Sequence, residues 1–501
     1  MFRMPRCPRL LLLFLILTCG ALYYFTLKDD NLRYQGTSNS HQHRVPPPNV
    51  GGNSEEASPA RQRPTSLATF QQRKKRLEAA CTERRNEAAN NNNSKLPAFP
   101  YHTMWTGSLA FCPLPKTGTT TWKRILYYMD QGLKGRLLDT AYGDIHTKTM
   151  YMQNKRIRVY SDFKQNHEKY EIGALIRYTF EHEKDANPSH THSLLLADCL
   201  RRSCVFLLSR YTPGKKYKSI VFVREPYARL FAAYVDKLFT PRRSNWRKYG
   251  TPVVSFTRTV APGNAPNSLC AHDVTFQEFV RYFIAVETGV ADYQRDEHFV
   301  PLSHQCGFCH ETYDLIGRQE SFADDTLGML AVLNAQGLLH YSDFEQNYEK
   351  YEMDALIRYT FEHELDSVHH CMSKEQALRH LWKALQIRGT IAAEEFFPLS
   401  TADCEQVDAD SFLQIAENSY NKSIANPSRH FNRLESMHEG FSTVHAEDRL
   451  RLRKIFEDDF KFFDYDPNNP YVFPKDDEFK LAYYRYFDVY DTFLFQSGVP
   501  N

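Results

Sequence analysis

The 501-residue chain has almost no net charge: 62 Lys and Arg stand against 60 Asp and Glu, leaving +2. Overall charge therefore says nothing of partners, and only local clusters can. No G-x-x-x-x-G-K-[ST] stretch occurs, which removes the common triphosphate-binding loop. There is one C-x-x-C, Cys306-Gly-Phe-Cys309, and no second, so a four-cysteine zinc site is excluded. His298, His304 and His310 stand nearby, but no metal is expected there. Repetition is scarce: two copies of one segment are too few for a solenoid.

One long uncharged apolar run exists, Leu10 to Leu27, preceded by Arg3, Arg6 and Arg9 and closed by Lys28-Asp29-Asp30. Eighteen residues is about the minimum that spans a bilayer, and the basic flank keeps the N-terminus cytoplasmic. The expected order is a cytoplasmic tail (1–9), a transmembrane signal anchor (10–27) and a lumenal remainder. A cleaved signal peptide, with small residues at Thr18-Cys19-Gly20-Ala21, is the competing reading. Residues 28–98 read as a largely disordered stem, rich in Pro, Gly, Ser and Asn, with Phe70–Asn86 as a solvated charged helix. Nine of the eleven cysteines would be lumenal, so disulfides are expected, with Cys306 and Cys309 as candidates. The odd thiol is free or pairs between chains in a homodimer. Sequons at Asn92 and Asn421 are candidate glycosylation sites.

The chemistry concentrates at two strand-to-helix junctions. Leu109–Cys112 reads as a strand broken by Pro113 and Pro115, and Trp122–Met129 as a helix. Between them lies Lys116-Thr-Gly-Thr-Thr-Thr121, where Gly118 lets the backbone curl and helix-end N–H groups converge on one point. An ordinary threonine N-cap is the plainer alternative. Further on, Lys218–Val223 reads as a buried strand ending at Arg224, and Pro226 opens a helix. Tyr227, Leu230, Phe231, Tyr234 and Leu238 form its apolar stripe. Open α/β sheets bind ligands at such strand ends.

The sequence Pro115-Lys-Thr-Gly-Thr-Thr-Thr121 with Trp122-Lys-Arg124 resembles the 5′-phosphosulfate loop of the Golgi carbohydrate O-sulfotransferases, the chondroitin and dermatan 4-O-sulfotransferase group. Their loop reads Pro-Lys-x-Gly/Ala-Cys/Thr-Thr-Asn before Trp-Lys-Arg. Arg224-Glu-Pro-Tyr-Ala-Arg-Leu-Phe-Ala-Ala-Tyr-Val-Asp-Lys237 is similar to that family's 3′-phosphate element. Thr275–Val280, Asp296–Phe299, Cys306–Cys309, Tyr313–Gly317 with Glu320, and Ile455–Tyr465 keep its order, although Phe299 stands where Trp is usual. The resemblance covers about residues 105 to 466. It implies an α/β, P-loop-like domain with a central parallel sheet over 99–470, preceded by the transmembrane helix and stem and followed by a C-terminal extension, 471–501. The donor it implies is 3′-phosphoadenosine 5′-phosphosulfate (PAPS), with no metal.

The residues implied at the donor are Pro115, Lys116, Thr117, Gly118, Thr119, Thr120 and Thr121, and then Arg224, Glu225, Pro226, Tyr227, Ala228, Arg229, Leu230, Phe231 and Ala232. Lys116 would be catalytic, stabilising charge on the leaving phosphate, and His298 is the candidate base for the acceptor hydroxyl. A structural histidine packed under the Cys306–Cys309 loop is the alternative for His298. One departure stands out: the family serine is Ala232, and losing a hydroxyl bond to a charged phosphate costs about 1.5–3 kcal/mol.

Thirteen Lys and Arg fall between Arg201 and Lys248 against two acids there, which suits an anionic glycan or glycosaminoglycan, most simply GalNAc of chondroitin or dermatan. Pro241–Lys248 is a basic cluster beside Trp246. Nucleic acid is not expected on the lumenal face of a Golgi membrane. A weakly active or inactive glycan-binding relative is the first rival reading, and a P-loop kinase the second. The duplicated segment, 160–185 and 341–366, is identical at 21 of 26 positions and reads as a helical insert at the surface, with no catalytic account.

Overall fold

The computed structural model describes residues 63–90, 104–106, 109–131, 218–258, 270–293, 295–340, 348–474 and 485–490. All lie in one of two units into which the chain divides, 62–169 with 217–501. The tail, the anchor at 10–27, Asn92 and the first repeat copy lie outside the described residues. Among the described residues no helix is long and apolar enough to cross a membrane.

Four strands make the sheet, in the order β1 (Met104–Thr106), β2 (Leu109–Cys112), β3 (Lys218–Val223), β4 (Leu315–Arg318). β1 runs antiparallel to β2, while β2, β3 and β4 are parallel, with Cys112 opposite Val221 and Val223 opposite Arg318. The apolar runs are continuous because both faces are covered. Leu109, Phe111, Ile220, Phe222 and Leu315 pack on one side against Trp122, Ile125, Phe322 and Leu330. Val221, Val223 and Ile316 pack on the other against Leu302, Phe462 and Phe463. Helix α1 (Leu67–Asn90) supplies Phe70 to the first side and Leu77 and Cys81 to the second.

Within the expected stem 28–98, the helix is present but is not solvated. The segment 67–90 is a helix docked on the domain, and its Arg73 donates to the buried Asp325 at 2.6 Å and to the Ile316 carbonyl at 2.9 Å. The extension beyond 470 is corrected too: Val472 and Tyr486 are buried, and Phe487 packs edge-on to Phe231, Tyr234 and Phe239.

After each central strand comes a helix: α2 (Thr119–Gln131) after β2, and α3 (Pro226–Tyr234) after β3. Pro226 sits in the first turn of α3 and Glu225 caps it, accepting from Ala228 N at 2.6 Å. Thr275 and Glu278 form a reciprocal capping box on α4 (Phe276–Glu287), so that motif sets a helix start and no chemistry. α5 (Phe322–Val332) follows β4. The second repeat copy supplies α6 (Glu349–Tyr359). It is no surface insert: Met353, Leu356 and Ile357 are buried against Leu378, Leu381 and Trp382 of α7 (Lys374–Ile387). Helices α8 (Asn432–Ser442) and α9 (Glu457–Phe463) close the domain. At the end of α9, Asp464 takes the left-handed φ of 58° at the position where the resembling family has glycine.

The candidate cysteines Cys306 and Cys309 both form disulfides, but not with each other: Cys306 pairs with Cys112 and Cys309 with Cys81. A third bond joins Cys270 to Cys371, and Cys404 is free and buried. Asn421 is exposed on the helix Ala409–Ser423, while the Ser423 hydroxyl of that sequon is buried and donates to the Ser419 carbonyl at 2.6 Å.

Candidate active site

The two junctions meet at the carboxyl ends of adjacent parallel strands, where converging dipoles and free loop amides favour an anion. Lys116 takes φ of 69° and Gly118 of 84°, which curls the loop onto the start of α2. A Cβ on Gly118 would sit 2.1 Å from the Phe322 ring, so glycine is required both by conformation and by space. Arg224, buried at the end of β3, donates from Nη1 to the Lys116 carbonyl at 3.2 Å. Its Nε is buried with no hydrogen-bond partner among the described residues. Burial, with Arg433 next, pulls its pKa down to about 10. A buried guanidinium face left open fits a phosphate.

Several implied donor residues do other work. The hydroxyls of Thr117 and Thr119 both turn back to the Leu114 carbonyl, so they brace the loop and are spent as phosphate donors. Thr121 reaches Tyr348 Oη of the repeat copy at 3.5 Å. Thr120 is half-buried. Arg229 is buried and donates to the carbonyls of Pro115 (3.1 Å), Val300 (2.8 Å) and Glu297 (2.8 Å). It ties the loop to the His298 segment, and its three carbonyl contacts leave it a positioning role. Tyr227, Leu230 and Phe231 are in the aromatic core, Tyr227 donating to Pro467 O at 3.0 Å. Along α3 the half-buried positions are Ala228 and Ala232, spaced one turn apart on the Glu225 side. Glu225 is itself half-buried, and burial of its carboxyl pushes it up to about 7. Its N–H donates to Glu320, which also accepts from Tyr465 Oη at 2.9 Å, so three distant motifs meet here.

The centre of charge is Asp236, just past α3. Its carboxylate accepts from Lys116 Nζ and lies 3.3 Å from Lys237, 3.9 Å from Arg242 and 3.8 Å from Arg388. Burial alone would raise its pKa; these four cations hold it well below the ordinary value. Burial in turn lowers Lys116 to about 8, with Asp236 the main opposing influence. Arg433 donates to the Arg388 carbonyl at 2.9 Å, extending the cationic wall toward Arg224. The sequence pattern missed Arg388 and Arg433, which lie far along the chain from either junction. Asp236 was visible only as one of two acids in a basic stretch.

His298 faces the same cluster. Asp296 accepts from its ring Nδ1 at 2.6 Å and its backbone N at 3.0 Å, and also from Lys248 Nζ at 2.9 Å. Burial, and then Lys237 and Lys116 against Asp296, lower the imidazole from its ordinary value. A neutral ring with Nδ1 bonded to a carboxylate leaves Nε2 as acceptor. His304 has a different place, between Arg295 and Glu287, and burial takes it down to about 3.

The basic cluster 241–248 divides. Trp246 is fully buried and donates to Leu238 O at 2.9 Å, so it offers no face to a ligand. Arg242 turns to Asp236 and covers the Tyr359 ring at 4.6 Å. Arg247 and Lys248, with Ser244 and Thr251, line a cavity of about 380 Å³.

Over 134 residues the chain is 31% identical to carbohydrate sulfotransferase 11 of Rattus norvegicus, 26% of this chain and 37% of that protein. It is 26% identical over 240 residues to carbohydrate sulfotransferase 8 of Mus musculus (48% and 45%), and 23% over 248 to carbohydrate sulfotransferase 12 of the same species (47% and 49%). The matched stretch thus spans less than half of each relative's length. No solved structure matches. The family profile described as the sulfotransferase family matches residues 104–384, more than half of the chain and both strand-to-helix junctions, and the chain belongs to that family.

Proposed function

We propose that this protein is a PAPS-dependent carbohydrate O-sulfotransferase that moves sulfate to a glycan hydroxyl, with GalNAc of chondroitin or dermatan as first choice of acceptor. The carrying observation is the joining of Lys116 and Arg224 across adjacent strand ends, beside a carboxylate-bound His298. When bound, the donor supplies the sulfuryl group and leaves as a bisphosphate. Arg224, whose Nε has no partner among the described residues, would hold the 3′-phosphate, with Arg433 adding positive charge near it. The loop amides of 118–121 and Lys116 would hold the 5′ side and stabilise charge that grows on the leaving oxygen. His298 Nε2 would accept the acceptor proton, with Asp296 fixing the tautomer and stabilising the imidazolium. Arg247 and Lys248 at the cavity mouth suit an anionic glycan. The three disulfides among the described residues fit an oxidising compartment, in line with a lumenal domain held at the Golgi membrane by residues 10–27.

The test uses the full chain expressed in a secretory host, with radiolabelled PAPS and desulfated chondroitin, dermatan and heparan beside a Lys116→Ala control. Transfer lost in the control supports the assignment and identifies the acceptor class. A native chain that binds the donor without transfer keeps the donor reading and overturns this choice of acceptors. Failure to bind donor at all overturns the enzyme reading and favours the non-catalytic glycan-binding relative that Ala232 suggests.

A further inference from the structure

Lys116 is the residue any anion at this site must meet, yet its ammonium is already engaged. The contact is direct, to the Asp236 carboxylate, and that carboxylate sits where α3 widens into the turn Val235–Phe239. The groups that face Lys116 from each packed element are Arg224 at the end of β3, Asp236 and Lys237 of the turn, Arg388 at the end of α7, and His298 of the loop before Cys306. Of these only Asp236 is anionic.

We propose that Asp236 is the positioning residue for Lys116: it holds the ammonium at the mouth of the β2–α2 loop and keeps it charged until an anionic group of the donor takes over the contact. The proposal rests on the donor reading above. The geometry argues for a handover and against a permanent structural pair. One carboxylate faces Lys116, Lys237, Arg242 and Arg388, so the cluster holds an excess of positive charge that a second anion would balance. A purely structural ion pair needs one partner. Lys116 is also already close to losing its proton at about 8, and removing the only opposing charge would let Lys237 and Arg388 carry it further down.

The experiment measures Lys116 directly. The full chain is exposed to trace acetic anhydride from pH 6 to 10, and acetylation of the Lys116 peptide is read by mass spectrometry. The native half-point is expected near pH 8. Asp236→Asn should move it down by about 1–3 pH units, and Asp236→Glu should restore it. Lys237→Gln should move it up at an unchanged melting temperature, whereas loosening that exposed Lys116 would raise the half-point and lower the melting temperature together; this readout remains if the asparagine variant does not fold. Saturating adenosine 3′,5′-bisphosphate should slow acetylation in the native chain. A half-point unchanged in both Asp236→Asn and Lys237→Gln overturns the proposal. A native chain that binds no bisphosphate overturns the donor reading and the handover with it, so the two failures are told apart.

Discussion

In the proposed reaction, His298 is the side chain on which proton transfer turns. Its ring is held below its ordinary pKa by burial and by Lys237 and Lys116, against Asp296, so it gives up its proton at a lower pH than an ordinary imidazole. The sign follows: a base must be unprotonated, and a lowered pKa moves the loss of activity to lower pH. On the proposed reading, the acid limb of sulfate transfer should therefore lie at lower pH than an ordinary histidine base would give, and Asp296→Asn, which removes the opposing carboxylate, should move it lower still, as pH profiles of kcat would record. His298→Ala should lower kcat by about 10²–10⁴-fold with bisphosphate affinity unchanged; a parallel loss of affinity would assign the ring to packing. Gly118 makes the complementary case, because it touches no substrate by side chain. Its φ of 84° and the Phe322 ring behind it leave no room for a methyl group. Gly118→Ala should abolish bisphosphate binding, by calorimetry, and Phe322→Ala in the same chain should not restore it fully, since the backbone strain remains.

At the scale of elements, α1 shows most clearly how pattern reading can fail. Phe70, Arg73, Lys74, Leu77, Cys81 and Arg84 form one stripe at helical spacing, but half of it is charged, so the segment reads as wet. Those charges are spent inside: Arg73 on Asp325, Lys74 on Asp314 at 3.3 Å, Arg84 on Asp458 at 3.1 Å. Phe70 is fully buried. Phe70→Ala should cost about 3–5 kcal/mol and lower the melting temperature by several degrees. A fragment beginning at residue 96 should be insoluble where one beginning at 62 is not, because it exposes both sheet faces that α1 covers and leaves Cys309 without Cys81. Equal solubility and melting temperature for the two fragments would sink this account. The strands and the two junction helices were legible because their signals are local: a short β-branched run, a proline at a helix start, a stripe at i, i+3, i+4. Arg229 was legible as a motif but not as to its partners, since three backbone carbonyls leave no trace in sequence.

Over the whole molecule, what sequence could not show is which distant segments share a wall. Arg388 and Arg433 reach the donor side from helices 150 or more residues past Arg224, and the repeat copy enters the core through Leu356 and Ile357. Disulfide partners are equally non-local: the separations are 228, 194 and 101 residues. Closing loops that long stabilises a fold by about 2–4 kcal/mol each in practice, so by that measure the three bonds are alike. Their positions are not. Cys112 ends β2, four residues before Lys116, and Cys306 follows the segment that carries His298, so that bond ties the proposed donor loop to the proposed base. Cys270–Cys371 joins two segments that carry no residue of either junction. Replacing either pair with alanines should lower the melting temperature by a similar several degrees. Only the Cys112/Cys306 pair should also weaken bisphosphate binding, by about tenfold for each 1.4 kcal/mol of lost loop order, measured well below the melting temperature. If both double variants bind equally well, that disulfide serves stability alone, and the loop geometry is held by Arg229 and Thr117 without it.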